Sequence, residues 1–233
     1  SQPTNNNLSE EITIGTNGKI TSDGNYIIEV TVTDNVGKEV TERRAITVDR
    51  KGPTVEFKSH EDGNIITTFP ITVEGTASDE GSGVNTEDGV FKLIQGSTTV
   101  ESGKLNIQAN GIWNGSIVGK NLTEGEYKLQ VTIKDKAGYD DTSEVTVKYD
   151  KALPQLSVTE PSGNSVITNG NVVISGKSWD TYGLKETGSV VITLKDANAN
   201  IVRSFTPEVA KTTSEPTDNN WEETIEVGEG KSI

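Results

Sequence analysis

Residues 125–158 read GEYKLQVTIKDKAGYDDTSEVTVKYDKALPQLSV. Tyr127, Leu129, Val131 and Ile133 alternate with Lys128, Gln130, Thr132 and Lys134, the period of a strand with one face buried and one in water. The turn Asp135-Lys136-Ala137-Gly138 follows, and Val145, Val147 and Tyr149 then alternate with Glu144, Thr146 and Lys148. Asp150 and Pro154 close the hairpin, because a proline cannot carry a central strand onward. The same pattern stands at 24–57 as GNYIIEVTVTDNVGKEVTERRAITVDRKGPTVEF. Tyr26 to Tyr127, Asp34 to Asp135, Gly37 to Gly138, Asp49 to Asp150 and Pro53 to Pro154 are each 101 residues apart. A constant offset without a gap is an internal repeat.

About 100 residues is the size of one β-sandwich domain. The 233 residues therefore divide into two such units and part of a third. Residues 1–7 read as a linker or disordered start. Residues 8–50 form a partial unit made of closing strands, with Ile12 and Ile14 beginning a short strand. Residues 53–151 make a complete sandwich. Strands start at Val55 and Phe57, along Ile71, Val73, Gly75 and Ala77, and at Phe91 and Leu93; others lie at Leu105 and Ile107 and at Trp113 and Ile117. Its expected core is Ile71, Val73, Phe91, Leu129, Val131 and Ile133. Residues 154–233 repeat the register, with Val172, Ile174, Gly176 and Asp180 standing 101 beyond Ile71, Val73, Gly75 and Asp79. Trp221 answers Trp113 at 108, so about seven residues are gained, placed in the loop 206–220. This unit lacks a closing hairpin within the sequence. The fold class is all-β, tandem immunoglobulin-like β-sandwiches: many short strands with turn signals every 8–12 residues.

The phrase D-G-x-Y-x-x-x-V-x-x-x-D-x-x-G, a strand, then V-D-x-x-x-P resembles the bacterial immunoglobulin-like (Big-type) repeats of large surface proteins. It is carried by Asp23, Gly24, Tyr26, Val30, Asp34, Gly37, Val48, Asp49 and Pro53. In the second copy Gly125, Tyr127, Val131, Asp135, Gly138, Asp150 and Pro154 carry it, with Glu124 and Tyr149 departing from the pattern. The resemblance implies a module of an extracellular bacterial protein, secreted or attached to the cell surface. It fits a non-catalytic spacer, an adhesin that binds a carbohydrate or host protein, or an accessory region of a secreted or cell-envelope protease or hydrolase.

The charge balance narrows the partners. There are 21 basic and 35 acidic side chains, a net of −14, which repels nucleic acid and anionic membranes and suits divalent cations. No stretch has the 18 or so apolar residues of a membrane helix. Cysteine is absent, which excludes disulfides, cysteine nucleophiles and cysteine-ligated zinc; in an extracellular protein it points to a bacterial source. His60 is the one histidine and sits in a turn, His-Glu-Asp-Gly, which reads as solvent-exposed rather than as the base of a triad. The chain is expected to be no enzyme. Neighbouring immunoglobulin-like domains of the same protein are the expected partners, with a glycan or protein ligand as the alternative.

Paired carboxylates such as Asp79-Glu80 and Asp140-Asp141 read first as a solvated acidic surface, since adjacent strand residues point to opposite faces. Calcium is the alternative, because it takes six to eight oxygens from Asp, Asn and carbonyls in loops. Its candidate ligands are Asp34 and Asp135 in the hairpin turns, Asp49 and Asp150 in the linkers, and Asp79 in the loop after the second strand. None follows the EF-hand spacing. Trp113 and Trp221 read as core, whereas Trp179 beside Tyr182 is the one aromatic pair that invites a ligand. Tyr26 and Tyr127 are placed as in a tyrosine corner. The short Asp-x-x-x-Pro linkers predict stiff joints in an extended rod. The open ends read as those of a segment cut from, or partly ordered within, a longer array; the alternative is a head-to-tail self-association in which the hairpin 24–48 of one molecule completes the open unit 154–233 of the next.

Overall fold

The computed structural model describes residues 9–168, 170–185, 187–209 and 219–227. The expected linker at 1–7 and most of the expected seven-residue gain within 206–220 lie outside the described residues. Every regular element among the described residues is a strand, so the protein is all-β. The chain divides into two compact units, Ser1–Tyr149 and Asp150–Ile233.

In the first unit β1 (Gly24–Thr33) and β2 (Glu39–Val48) form an antiparallel hairpin. The segment before it holds only an isolated bridge between Ile14 and Ile20, in place of the strand expected at Ile12 and Ile14. Nine further strands follow: β3 (Thr54–Phe57), β4 (Ile65–Ile66), β5 (Ile71–Ser78), β6 (Val84–Gln95), β7 (Thr98–Lys104), β8 (Asn106–Ile107), β9 (Ile112–Ile117), β10 (Gly125–Asp135) and β11 (Asp140–Tyr149). One sheet runs β3-β5-β9-β8 and the other β4-β11-β10-β6-β7. Alternate residues of both face inward, as immunoglobulin-like sandwiches require. Val73, Phe91, Leu93, Trp113, Tyr127, Leu129, Val131 and Ile133 are buried in one core. Ile71, expected inside, is half-buried and packs on the core's margin.

The repeat holds in hydrogen-bonded register. Tyr26 faces Ile46 across β1–β2, and Tyr127 faces Val147 across β10–β11. The hydroxyls of Thr31 and Thr41 bond at 2.8 Å, as do those of Thr132 and Thr142, 101 residues on. The Tyr127 hydroxyl donates to the Thr123 carbonyl at 2.7 Å, and the Tyr26 hydroxyl to the Ser22 carbonyl at 2.8 Å. Both are tyrosine corners, each closing four residues back and fixing the entry of its strand.

The second unit holds β12 (Gln155–Glu160), β13 (Gly170–Trp179), β14 (Ile192–Lys195), β15 (Ile201–Phe205) and β16 (Asn220–Val227). A three-stranded sheet runs β12-β13-β16, and β14 pairs with β15. One packing device is common to both units. Gly75 lies opposite Trp113 across β5–β9, and Gly176 lies opposite Trp221 across β13–β16. A Cβ at Gly75 would fall 2.2 Å from the Trp113 ring, and one at Gly176 would fall 2.4 Å from the Trp221 ring. Each tryptophan ring thus fills the space where the facing strand has no side chain, and both rings are buried.

Candidate metal centre

Three segments of the first unit meet at the foot of the hairpin. The first is the linker after β2, which carries Asp49. The second is the loop after β5, with Asp79, Gly81, Ser82 and Gly83. The third is the β10–β11 turn, from Asp135 to Tyr139. The period-two pattern stops at each place, and polar and glycine residues take over, so side chains and backbone amides point at one another instead of into the core.

The linker carboxylate is tied to the loop. The Ser82 N–H donates to Asp49 Oδ2 at 2.7 Å, and the Lys51 N–H donates to Asp49 Oδ1 at 3.2 Å. The Ser82 side chain and N–H together hold the Asp49 carboxyl below the ordinary aspartate value. The approach requires a glycine: a Cβ at Gly81 would sit 2.4 Å from the Asp49 carboxyl carbon. Ser82 reaches onward, since its hydroxyl accepts the Ala137 N–H at 3.1 Å. The Lys136 N–H donates to the Gly83 carbonyl at 2.9 Å, which zips the loop to the β10–β11 turn.

Asp79 accepts the Gly83 N–H on Oδ2 at 2.6 Å and so shapes its own loop. Asp135 is fully buried. Its Oδ1 accepts the N–H groups of Gly138 at 2.6 Å and Tyr139 at 2.9 Å, while its Oδ2 is buried without a partner. Asp49, Asp79 and Asp135 each bring one carboxylate oxygen within 4.8 Å of the others. Ion pairs among the described residues include none of the three. A cleft of about 380 Å³ opens beside them, lined also by Asp23 and Glu80.

Of the five sequence-derived candidates, the structure gathers Asp49, Asp79 and Asp135. Asp34 caps the β1–β2 turn, accepting the Val36 and Lys38 N–H groups on Oδ1 at 2.9 and 2.8 Å. Asp150 opens the second unit. Sequence reasoning missed Ser82, the residue that joins all three segments; a serine between two glycines, Gly81-Ser82-Gly83, beside an acidic pair was the available signal.

Other candidates resolve as structure. The Ser59 hydroxyl and His60 Nδ1 lie 2.8 Å apart, and partial burial lowers the His60 pKa, which favours the neutral ring. The Glu74 N–H donates to the Ser59 hydroxyl at 2.9 Å, and no carboxylate among the described contacts bonds the His60 ring. Trp113 meets Phe57 edge-on at 5.3 Å inside the core.

No protein-family profile and no curated protein sequence matches the chain. Solved structures do. Four tandem repeats from the extending region of a large adhesion protein share 18% identity at a TM-score of 0.40, over 88% of this chain and 48% of that one. A 1.5-MDa bacterial ice-binding adhesin, in a structure concerned with host cell surface retention, shares 18% at 0.39, over 88% and 64%. The FN1–FN3 domains of chicken CNTN1 share 13% at 0.31, over 90% and 67%. The chain thus spans about half of the adhesion-protein structure and under two thirds of the ice-binding adhesin structure.

Proposed function

We propose that the chain is a non-catalytic structural segment of an extracellular bacterial protein, a spacer in which sandwich modules are joined by stiff linkers to present other domains. One observation carries this reading: the linker after β2 is built into the following sandwich. Asp49 is held by Ser82, Ser82 holds Ala137, and the Val55 N–H donates to Asp141 Oδ2 at 3.3 Å. A flexible tether needs none of these bonds. A joint that must keep its direction needs all of them. The all-β architecture and the internal repeat agree with such a role.

Backbone ¹⁵N relaxation on the 233-residue chain tests the reading. Residues 49–53 are expected to show order parameters near 0.85, as rigid backbone does. Values below about 0.6 through the linker would make it a swivel and end the spacer reading. Saturable binding of a glycan to the chain would replace that reading with the adhesin one.

A further inference from the structure

We infer that Asp49, Asp79 and Asp135 bind one calcium ion, which forms the last bond of the joint between the β1–β2 hairpin and the sandwich. Two independent observations meet here. Three carboxylate oxygens from linker, loop and turn lie within 4.8 Å of one another. One of the three residues, Asp135, is fully buried and has an oxygen without a partner. Carboxylates so close repel, and a buried anionic oxygen without a donor is costly. A cation between them removes both penalties at once.

The protein's own donors do not do this work, and their placement is informative. Backbone N–H groups reach both oxygens of Asp49, one of Asp79 and one of Asp135. They fix where the side chains point before any ion arrives. Lys136 belongs to the same turn, yet its ammonium lies by Gly83, 3.4 Å from where a Cβ would stand there, and forms no ion pair with the three aspartates. The centre is therefore preorganised and still anionic.

The donor set selects the ion. The group contains no histidine, and the chain contains no cysteine, so every ligand is a hard oxygen. Calcium takes six to eight ligands in loose geometry, whereas magnesium demands a near-ideal octahedron, and the looser ion suits a centre open to a cleft. Glu80 on that cleft adds attraction for a divalent cation, while Lys51 opposes it and Asp23 is paired with Arg50.

This inference does not depend on the spacer reading, because a linker can be rigid without the ion and an ion can bind beside a mobile linker. The test is calorimetric titration of the chelator-treated chain with calcium chloride, alongside thermal melts. One saturable ion per chain and a melting temperature raised by several degrees are expected, with magnesium at least ten-fold weaker. Asp135→Asn should weaken calcium at least ten-fold while melting no lower than the unsubstituted chain in chelator, since it relieves repulsion. A merely structural aspartate would lower both melts equally, and that result overturns the proposal. Asp79→Asn, which leaves the β10–β11 turn intact, provides the second variant if Asp135→Asn does not fold. Equal affinity for magnesium would overturn the choice of calcium. Weak, unsaturable binding indifferent to either variant would overturn the site.

Discussion

The hairpins β1–β2 and β10–β11 are the same sentence folded the same way and buried differently. They share register, cross-strand threonine pair and tyrosine corner. Yet Val131 and Ile133 are 1% and 0% exposed, while their counterparts Val30 and Val32 are 44% and 60% exposed. In the second copy, β6 pairs with β10 and the facing sheet covers its apolar stripe. Among the described residues no strand pairs with β1 except β2. Alternation therefore specifies a face, and burial of that face is supplied by whatever packs on it. A lone hairpin is marginal in water, so what fixes β1–β2 here lies at its foot, where Arg50 meets Asp23 at 2.6 Å and Asp49 meets Ser82.

The largest expected break in this comparison comes from matched truncations. Ile133→Ala should cost about 2–5 kcal/mol, because it empties a filled core position. Val32→Ala, at the equivalent place in β1, should change stability by no more than about 0.5 kcal/mol. Denaturant melts of both variants, read against the same chain, check the contrast. Comparable losses would mean that β1 is covered in solution. Gly75→Ala should cost about 1–3 kcal/mol by driving a methyl into Trp113 and the Glu56 carbonyl, and near-UV circular dichroism should report the displaced indole.

A gentler probe sharpens the same contrast. The uncovered stripe of β1 leads us to propose head-to-tail pairing of residues 24–48 with the unit 154–233 of a second copy. Sedimentation velocity should then show association that grows with concentration, and the double variant Val30→Lys, Val32→Lys should stay monomeric. A monomer at high concentration without substitution would remove the pairing. The smallest effect belongs to the foot of the hairpin. The Ser82 hydrogen bonds depress the folded-state pKa of Asp49 below its unfolded value. The stability it contributes is present above about pH 4 and is lost as pH falls through the folded value. In calcium-free buffer the unsubstituted chain should therefore lose melting temperature below about pH 4 more steeply than Asp49→Asn.

Much of the fold was legible because it rests on local rules. Period-two alternation placed β5, β6, β10 and β11, and the constant offset of 101 placed both tyrosine corners. The Gly75–Trp113 and Gly176–Trp221 pairs were present as repeated letters, but their meaning lies in a cross-strand contact that periodicity does not encode. The candidate centre was legible only as an inventory. Asp34 and Asp135 occupy the same repeat position, and nothing local separates them. Only Asp135 stands against a loop that brings Asp79 and Ser82 to the turn, and only there does burial leave an oxygen unpaired. Ile14 shows the opposite failure: an apolar residue in a polar segment found a single bridge partner and no sheet.

The account rests on the linker being part of the sandwich, and hydrogen exchange at the Ser82 amide tests this most directly. That N–H is given to Asp49 across 33 residues of sequence, in a loop that has no other reason to be protected. The account predicts exchange slowed well beyond that of an exposed loop, and restored to loop rates in Asp49→Ala while the Leu129 amide stays protected. Free exchange at Ser82 in the unsubstituted chain, with Leu129 protected, would show the joint open in solution and contradict the account.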